Sequence, residues 1–355
     1  MQQPATAAVT GGVDTHRDFH VAAAVDGLGA ELGTAAFPAT RAGYDRLLRW
    51  LERFGPVGRV GVEGTGSYGA GLARHLAARG VEVVEVDRPN RQVRRQRGKS
   101  DPIDALMAAK AVVSGSARAQ AKDREGVVES IRVLRVTRRS AHADRTRAVN
   151  QLRSLVSTAP EPIRRRLHDL PRAQLVRRAV SLRVSPDEGL TLDSATKVAM
   201  RELARRVRSI DAEIARVDAV LDGLVAEAAP SLLELHGVGT DTAGALLVAA
   251  GENSHRLHSE AAFAHLCGVA PIPASSGSAI RYRLNRGGDR GANSALWRIV
   301  LVRMRSHEPT RRYVERRLAE GLTKREVMRC LKRYVAREVY KHLPRGGVPR
   351  PVMTT

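Results

Sequence analysis

Cysteine is nearly absent from this 355-residue chain: there are two, Cys267 and Cys330, and no metal-ligand spacing relates them. They exclude a disulfide framework and imply a reducing compartment. Long apolar runs are missing as well. No stretch approaches the roughly 18 uncharged apolar residues of a membrane span. The N-terminus lacks the basic region followed by an apolar run that marks a secretory leader. A soluble cytoplasmic protein with no membrane partner is the expectation. Internal repeats and long low-complexity tracts are also lacking. Acidic residues are scarce relative to basic ones: 37 Asp and Glu face 59 Lys and Arg, giving a net charge of +22. Such an imbalance calls for a polyanionic partner. Hydrophobic residues make up 43% of the chain, enough for true cores, and the length accommodates two or three domains.

The charge is unevenly spread. Residues 1–80 carry a net charge of only +1, which leaves +21 for the rest. That pattern suggests a near-neutral core joined to cationic binding elements. Within the near-neutral part and just beyond it stand four acids: Asp14, Glu63, Asp101 and Asp104. Asp14 closes the apolar run Val9–Asp14, and Glu63 closes Arg59–Glu63 just before Gly64-Thr65-Gly66. A carboxylate closing an apolar strand costs desolvation that an apolar residue avoids. Asp101-Pro-Ile-Asp104 places a proline at a helix start, and acids three apart share a helix face. Singly, Asp101 reads as a helix cap and Asp104 as an ordinary first-turn acid. As a set they favour a hard metal ion, since Mg²⁺ takes a few carboxylates plus substrate phosphates.

The predicted elements run strand (Val9–Asp14), strand (Phe19–Val25), strand (Ala30–Phe37), a helix capped by Thr40, a strand over 58–63, a helix near 68–79, a strand over Val81–Val86, then the Asp101 helix. This order, with carboxylates at strand ends, is that of a ribonuclease-H-like α/β domain. Between the last strand and the Asp101 helix lie Arg91, Arg94, Arg95, Arg97 and Lys99 with no acid among them, a segment suited to gripping phosphates. Residues 124–228 read as helical. Leu203, Val207, Ile210, Ile214, Val217, Leu221 and Leu224 form a three-heptad apolar seam of coiled-coil type. The earlier helix, about 125–157, has its seam interrupted by Arg138 and Arg145. An antiparallel hairpin within one chain and a subunit-pairing stalk both fit. Further on, Leu235-His-Gly-Val-Gly-Thr-Asp-Thr-Ala243 is a helix–tight-turn–helix signature whose Gly237 and Gly239 permit a phosphate-holding turn. A loop with Ser275, Ser276 and Ser278 precedes the basic run containing Arg281, Arg283 and Arg286, and two basic amphipathic helices, about 292–306 and 323–342, follow. No His/Asp partner for those serines is identifiable by spacing. His16, His20, His255 and His258 read as structural or surface residues. The organisation expected is 1–120, 121–229 and 230–345, with a loose tail at 346–355.

These residues carry a family resemblance. The chain resembles the DEDD-type insertion-sequence transposases, the insertion-sequence-110 family of bridge-RNA-guided recombinases. The match runs through Gly12-Val-Asp14, Val62-Glu-Gly-Thr-Gly66, Val86-Asp-Arg-Pro89 and Lys99-Ser-Asp-Pro-Ile-Asp-Ala105. It continues through Leu235-His-Gly-Val-Gly239, Leu266-Cys-Gly-Val-Ala-Pro271, Ser275-Ser-Gly277 and Arg286-Gly-Gly-Asp-Arg290. The resemblance implies a RuvC-like domain whose Asp14, Glu63, Asp101 and Asp104 hold Mg²⁺ (Mn²⁺ as a substitute), a helical coiled-coil middle and a helical C-terminal transposase domain. It also implies a catalytic serine, Ser276, covalent cutting and rejoining of DNA, a structured non-coding guide RNA pairing with donor and target DNA, and homo-dimers or tetramers. The family's lysine-threonine is Lys99-Ser100 here, and its lysine-glycine-asparagine is Arg286-Gly287-Gly288-Asp289. The residues by themselves leave open a metal-dependent junction nuclease and a non-enzymatic nucleic-acid scaffold. An actin-like ATPase lacks its second glycine-rich aspartate motif.

Overall fold

The structure is a computed structural model and describes residues 8–86, 100–184, 191–275 and 281–344. The chain divides into two compact units: residues 1–126 with 251–256, and residues 127–250 with 257–355.

In the first unit, β1 (Val9–Thr15), β2 (Phe19–Val25) and β3 (Glu31–Pro38) form an antiparallel meander. On the other side of β1, β4 (Val57–Glu63) and β5 (Glu82–Val86) add in parallel, and the two-residue β6 (Ala119–Gln120) closes the edge. The sheet order is β3-β2-β1-β4-β5-β6. Helix α1 (Arg41–Glu52) starts where Thr40 accepts a hydrogen bond from the Gly43 amide, and it buries Leu47, Leu48 and Leu51. Together with Leu72 and Leu76 of α2 (Ala70–Ala77) these leucines pack against Val60 and Val62. Each leucine so buried contributes about 2 kcal/mol of transfer free energy. A mixed α/β sheet of this order is compatible with a ribonuclease-H-like DEDD domain.

Helix α3 (Asp101–Val113) is held by a different kind of contact. Its buried face is Asp104, Ala105, Ala108, Ala109 and Val112. The strand positions beneath it are glycines: Gly12 of β1 pairs with Gly61 of β4. A Cβ on Gly12 would collide with the Ala105 carbonyl and the Ala109 amide. One on Gly61 would lie 2.7 Å from Val112 Cγ2 and 2.9 Å from the Ala108 carbonyl. A glycine floor under an alanine face lets helix and sheet meet at backbone distance, which side chains of ordinary size prevent.

In the second unit, α4 (Val127–Thr158) and α7 (Leu192–Ala228) are the long helices. Arg138 pairs with Asp218, and Arg145 with Asp211 at 3.0 Å. Later residues of one helix meet earlier residues of the other, so the pair is antiparallel. The apolar seam faces this partner: Val207, Ile214 and Leu221 are buried. The two arginines that interrupt the α4 pattern thus have their partners on α7. Between them lie α5 (Glu161–Leu167) and α6 (Arg172–Val180), with Pro160 and Pro171 at their N-caps. Short helices before which proline sets the entry are compatible with the same prolines that forbid one continuous rod.

Then come α8 (Pro230–Leu233), α9 (Thr240–Ala250), α10 (Glu260–Leu266), α11 (Arg290–Ser306), α12 (Glu308–Ala319) and α13 (Lys324–Lys341). A two-stranded ribbon, β7 (Ile272–Pro273) with β8 (Tyr282–Arg283), occupies part of the expected loop. One apolar cluster joins Ile131 and Leu221 of the long pair to Leu246, Phe263, Leu296, Ile299, Val335 and Val339. Among the described residues no helix is long and apolar enough to cross a membrane.

Candidate active site

The register Val13↔Val62 sets Asp14 and Glu63 side by side at the ends of parallel β1 and β4. Side chains two apart share a sheet face. Asp14 therefore lies on the same face as Gly12, and Glu63 on that of Gly61, under the start of α3. The glycine floor lowers α3 onto this face and brings its first turn to the strand ends. Asp14, Glu63 and Asp104 are all buried, at 8%, 9% and 5% exposure. Asp101 is the first residue of α3, with Ser100 at the N-cap and Pro102 in the first turn, so it is a helical residue rather than the cap. Thr15 Oγ1 donates to the Glu63 carbonyl at 2.8 Å, tying the two strand ends together. Gly64 follows at φ +69°, in the left-handed region that favours glycine, and turns the chain away.

Burial raises the pKa of Asp14. His16 counteracts this, while Asp104 and Asp101 raise it further. Buried carboxylates that repel one another are stabilised by a bound cation. Among the described residues the group able to hold a metal ion is Asp14, His16 and Asp101, whose ligand atoms all lie within 4.8 Å. His16 Nε2 is 3.2 Å from Asp14 Oδ2 and 3.3 Å from Asp101 Oδ2. His16, expected to be structural or superficial, lies one residue beyond β1 and stands between Asp14 and Asp101. His20 is a structural residue, fully buried and stacked on Tyr44 with centroids 5.5 Å apart.

The other expected site residues lie in the second unit or outside the described residues. Arg91, Arg94, Arg95, Arg97, Lys99 and Ser276 fall outside them. Ser275 Oγ accepts from the Arg281 amide at 3.1 Å and so closes the β7–β8 ribbon. Arg281 and Arg283 are exposed on that ribbon. Arg286 lines a cavity of about 600 Å³ together with Leu284, Lys332, Arg333 and Tyr334. Gly237, at φ +81°, makes the turn between α8 and α9 and abuts the Ile299 carbonyl. The Gly239 amide already donates to Thr242 Oγ1 at 3.0 Å. Asp241, in the first turn of α9, gathers Arg135, Arg138 and Arg298. Nothing in the sequence singled out Asp241, whose partners come from two distant helices.

A DEDD-type IS110 transposase model matches residues 11–159, and a model of the IS116/IS110/IS902 transposase family matches residues 229–315. The chain belongs to the IS110-type transposases. The first matched span holds all four acids, and the second holds the Gly237 turn and the serine loop. No curated protein matches the chain. The transposase is thus a DNA-processing enzyme of the transposase/recombinase class, with DNA as substrate. DEDD-type transposases typically depend on a divalent metal, and the acid cluster of the first unit has the donor set for one.

Proposed function

We propose that this transposase cuts and rejoins the DNA of an insertion sequence through a site assembled from the DEDD carboxylates and Ser276. The observation that carries the reading is the convergence of Asp14 and Asp101 at the strand ends beside the glycine floor, with buried Glu63 and Asp104 also at the site. Taken alone, the four carboxylates Asp14, Glu63, Asp101 and Asp104 are an all-oxygen donor set that suits Mg²⁺, with Mn²⁺ as a substitute. When bound, such an ion neutralises charge developing on the scissile phosphate and lowers the pKa of a nearby hydroxyl. Ser276 Oγ gives up its proton to solvent and forms a bond to phosphorus as the strand's P–O bond breaks, and the departing sugar oxygen takes up a proton from solvent and leaves as a free hydroxyl. The new phosphodiester keeps the energy of the old one, so rejoining needs no ATP.

Residues 1–120 act as the metal domain, 121–229 as a coiled-coil helical stalk, and 230–345 as the serine-bearing domain. Arg91, Arg94, Arg95, Arg97, Lys99, the Gly237–Gly239 turn, Arg281, Arg283 and Arg286 contact nucleic acid in this reading. A structured non-coding RNA supplies sequence choice for donor and target, and a cytoplasmic dimer or tetramer carries out the reaction.

The test incubates protein, element DNA, candidate RNA and divalent metal, and looks for protein covalently joined to DNA. Ser276→Ala is expected to abolish the adduct with DNA binding intact, and Asp101→Asn to abolish cutting. An adduct that survives Ser276→Ala removes the serine from the mechanism. Free hydrolysed ends without any adduct favour a junction nuclease.

A further inference from the structure

We infer that His16 is a direct metal ligand, which makes the DEDD site of this chain prefer Mn²⁺ over Mg²⁺. The inference rests on the reading that these carboxylates hold a divalent cation. It adds a donor atom that the four acids do not supply.

Three observations converge. First, the Nε2 contacts at 3.2 Å and 3.3 Å to Asp14 and Asp101 lie at the long edge of the hydrogen-bond range. They are close to the separation of neighbouring ligands about one octahedral ion, about 3.0 Å when each bond is about 2.1 Å. Second, Nε2 is shielded from solvent, with both carboxylates as its near neighbours. One ligand atom from each of Asp14, His16 and Asp101 lies within 4.8 Å of the other two. Third, the ring is held in place. The His16 amide donates to the Phe19 carbonyl at 3.1 Å, closing the β1–β2 turn, and the ring lies against Phe19 with centroids 5.0 Å apart.

Donor chemistry then sets the ion. An all-oxygen set suits Mg²⁺, which coordinates nitrogen poorly; imidazole shifts a site toward transition ions, and carboxylates keep Mn²⁺ among those it accepts. Asp14, His16 and Asp101 together form a mixed oxygen–nitrogen set on one side of the ion. The remaining positions stay available to Glu63, Asp104 and phosphate oxygens.

The experiment uses the full chain, stripped of metal and titrated with Mn²⁺ alone. Pulsed electron paramagnetic resonance of the bound Mn²⁺ should show coupling to a directly coordinated ¹⁴N. The coupling should vanish in His16→Gln and in His16→Ala, each checked by circular dichroism for an intact fold. Mn²⁺ affinity should fall at least about tenfold in both variants, with a smaller change for Mg²⁺ measured by competition. Mn²⁺ bound to the wild-type chain without nitrogen coupling overturns the assignment and leaves the carboxylate site standing. Coupling that persists in both variants overturns it as well. If wild-type protein binds no Mn²⁺, or binding survives unchanged in Asp14→Asn, the underlying carboxylate reading fails too.

Discussion

Like charges gather around Asp14 in the first unit, whereas opposite charges gather around Asp241 in the second. Around Asp14, burial and the neighbouring Asp104 and Asp101 raise the carboxyl's pKa, and His16 only partly offsets them. At Asp241, burial also works against the charge, but Arg135, then Arg298 and Arg138, outweigh it and hold the pKa below the usual value. One cluster is short of positive charge, and the other supplies its own. The demand for an external cation thus arises in the part of the chain nearest to neutral. Several arginines elsewhere have nearby carboxylates, as Asp211, Asp218, Asp241 and Glu260 show, while the net excess of basic charge remains. Net charge by region locates a polyanion-binding protein, but it does not locate the site that needs a metal.

The sharpest way to break this contrast is to lift α3 off the sheet. Gly12→Val places a branched side chain against helix backbone that cannot step aside. We expect a loss of about 3 kcal/mol or more. The chain has one tryptophan in each unit, Trp50 and Trp297, so urea unfolding followed by Trp50 fluorescence in a Trp297→Phe background reads the first unit. An unchanged midpoint would remove the glycine floor as the device that builds the site.

A smaller effect is expected from Asp241→Asn. It leaves three guanidinium groups without their shared partner. The side chain is 24% exposed, so the cost is about 2 kcal/mol rather than that of a fully buried pair. The folded pKa lies below the ordinary carboxylate value of 3.8. The contribution is therefore present above that pH and is lost as pH falls through the folded value. In a Trp50→Phe background, the variant's unfolding midpoint should show a flatter acid limb than the parent's. Equal slopes would mean that Asp241 is not the organising charge.

The smallest expected change runs in the opposite direction. Gly223 sits inside α7, and a Cβ there meets nothing within 4 Å. Gly223→Ala should stabilise the second unit by about 0.5–1 kcal/mol. A loss instead would show that the two kinds of glycine, floor and helix interior, do not differ as the contacts require.

Much of the fold was legible because its signals are local. Strands β1 to β5 and α1 fall within a residue or two of the positions expected from apolar runs and the Thr40 cap, whereas the two-residue β6 was not anticipated. The heptad seam of α7 was legible for the same reason. Legibility failed where the cause is remote. The interruptions at Arg138 and Arg145 have their explanation at Asp218 and Asp211, 80 and 66 positions away. The helix at 308–319 was not anticipated: its sequence is strongly polar, and Thr310 is its one buried residue. His16 was dismissed because its partner Asp101 stands on another element.

By itself, the sequence determined the element order of the sheet unit, the acid at each strand end, the paired acids on one helix face and the net charge of the whole. Each of these follows from periodicity, capping and composition, which act over a few residues. Only the tertiary structure decided which of the acids meet, that an imidazole stands between two of them, and that Asp241 gathers arginines from two helices. Those outcomes depend on how closely two backbones approach. At Gly12 and Gly61 that distance is set by the absence of a side chain on one element and the smallness of those on another.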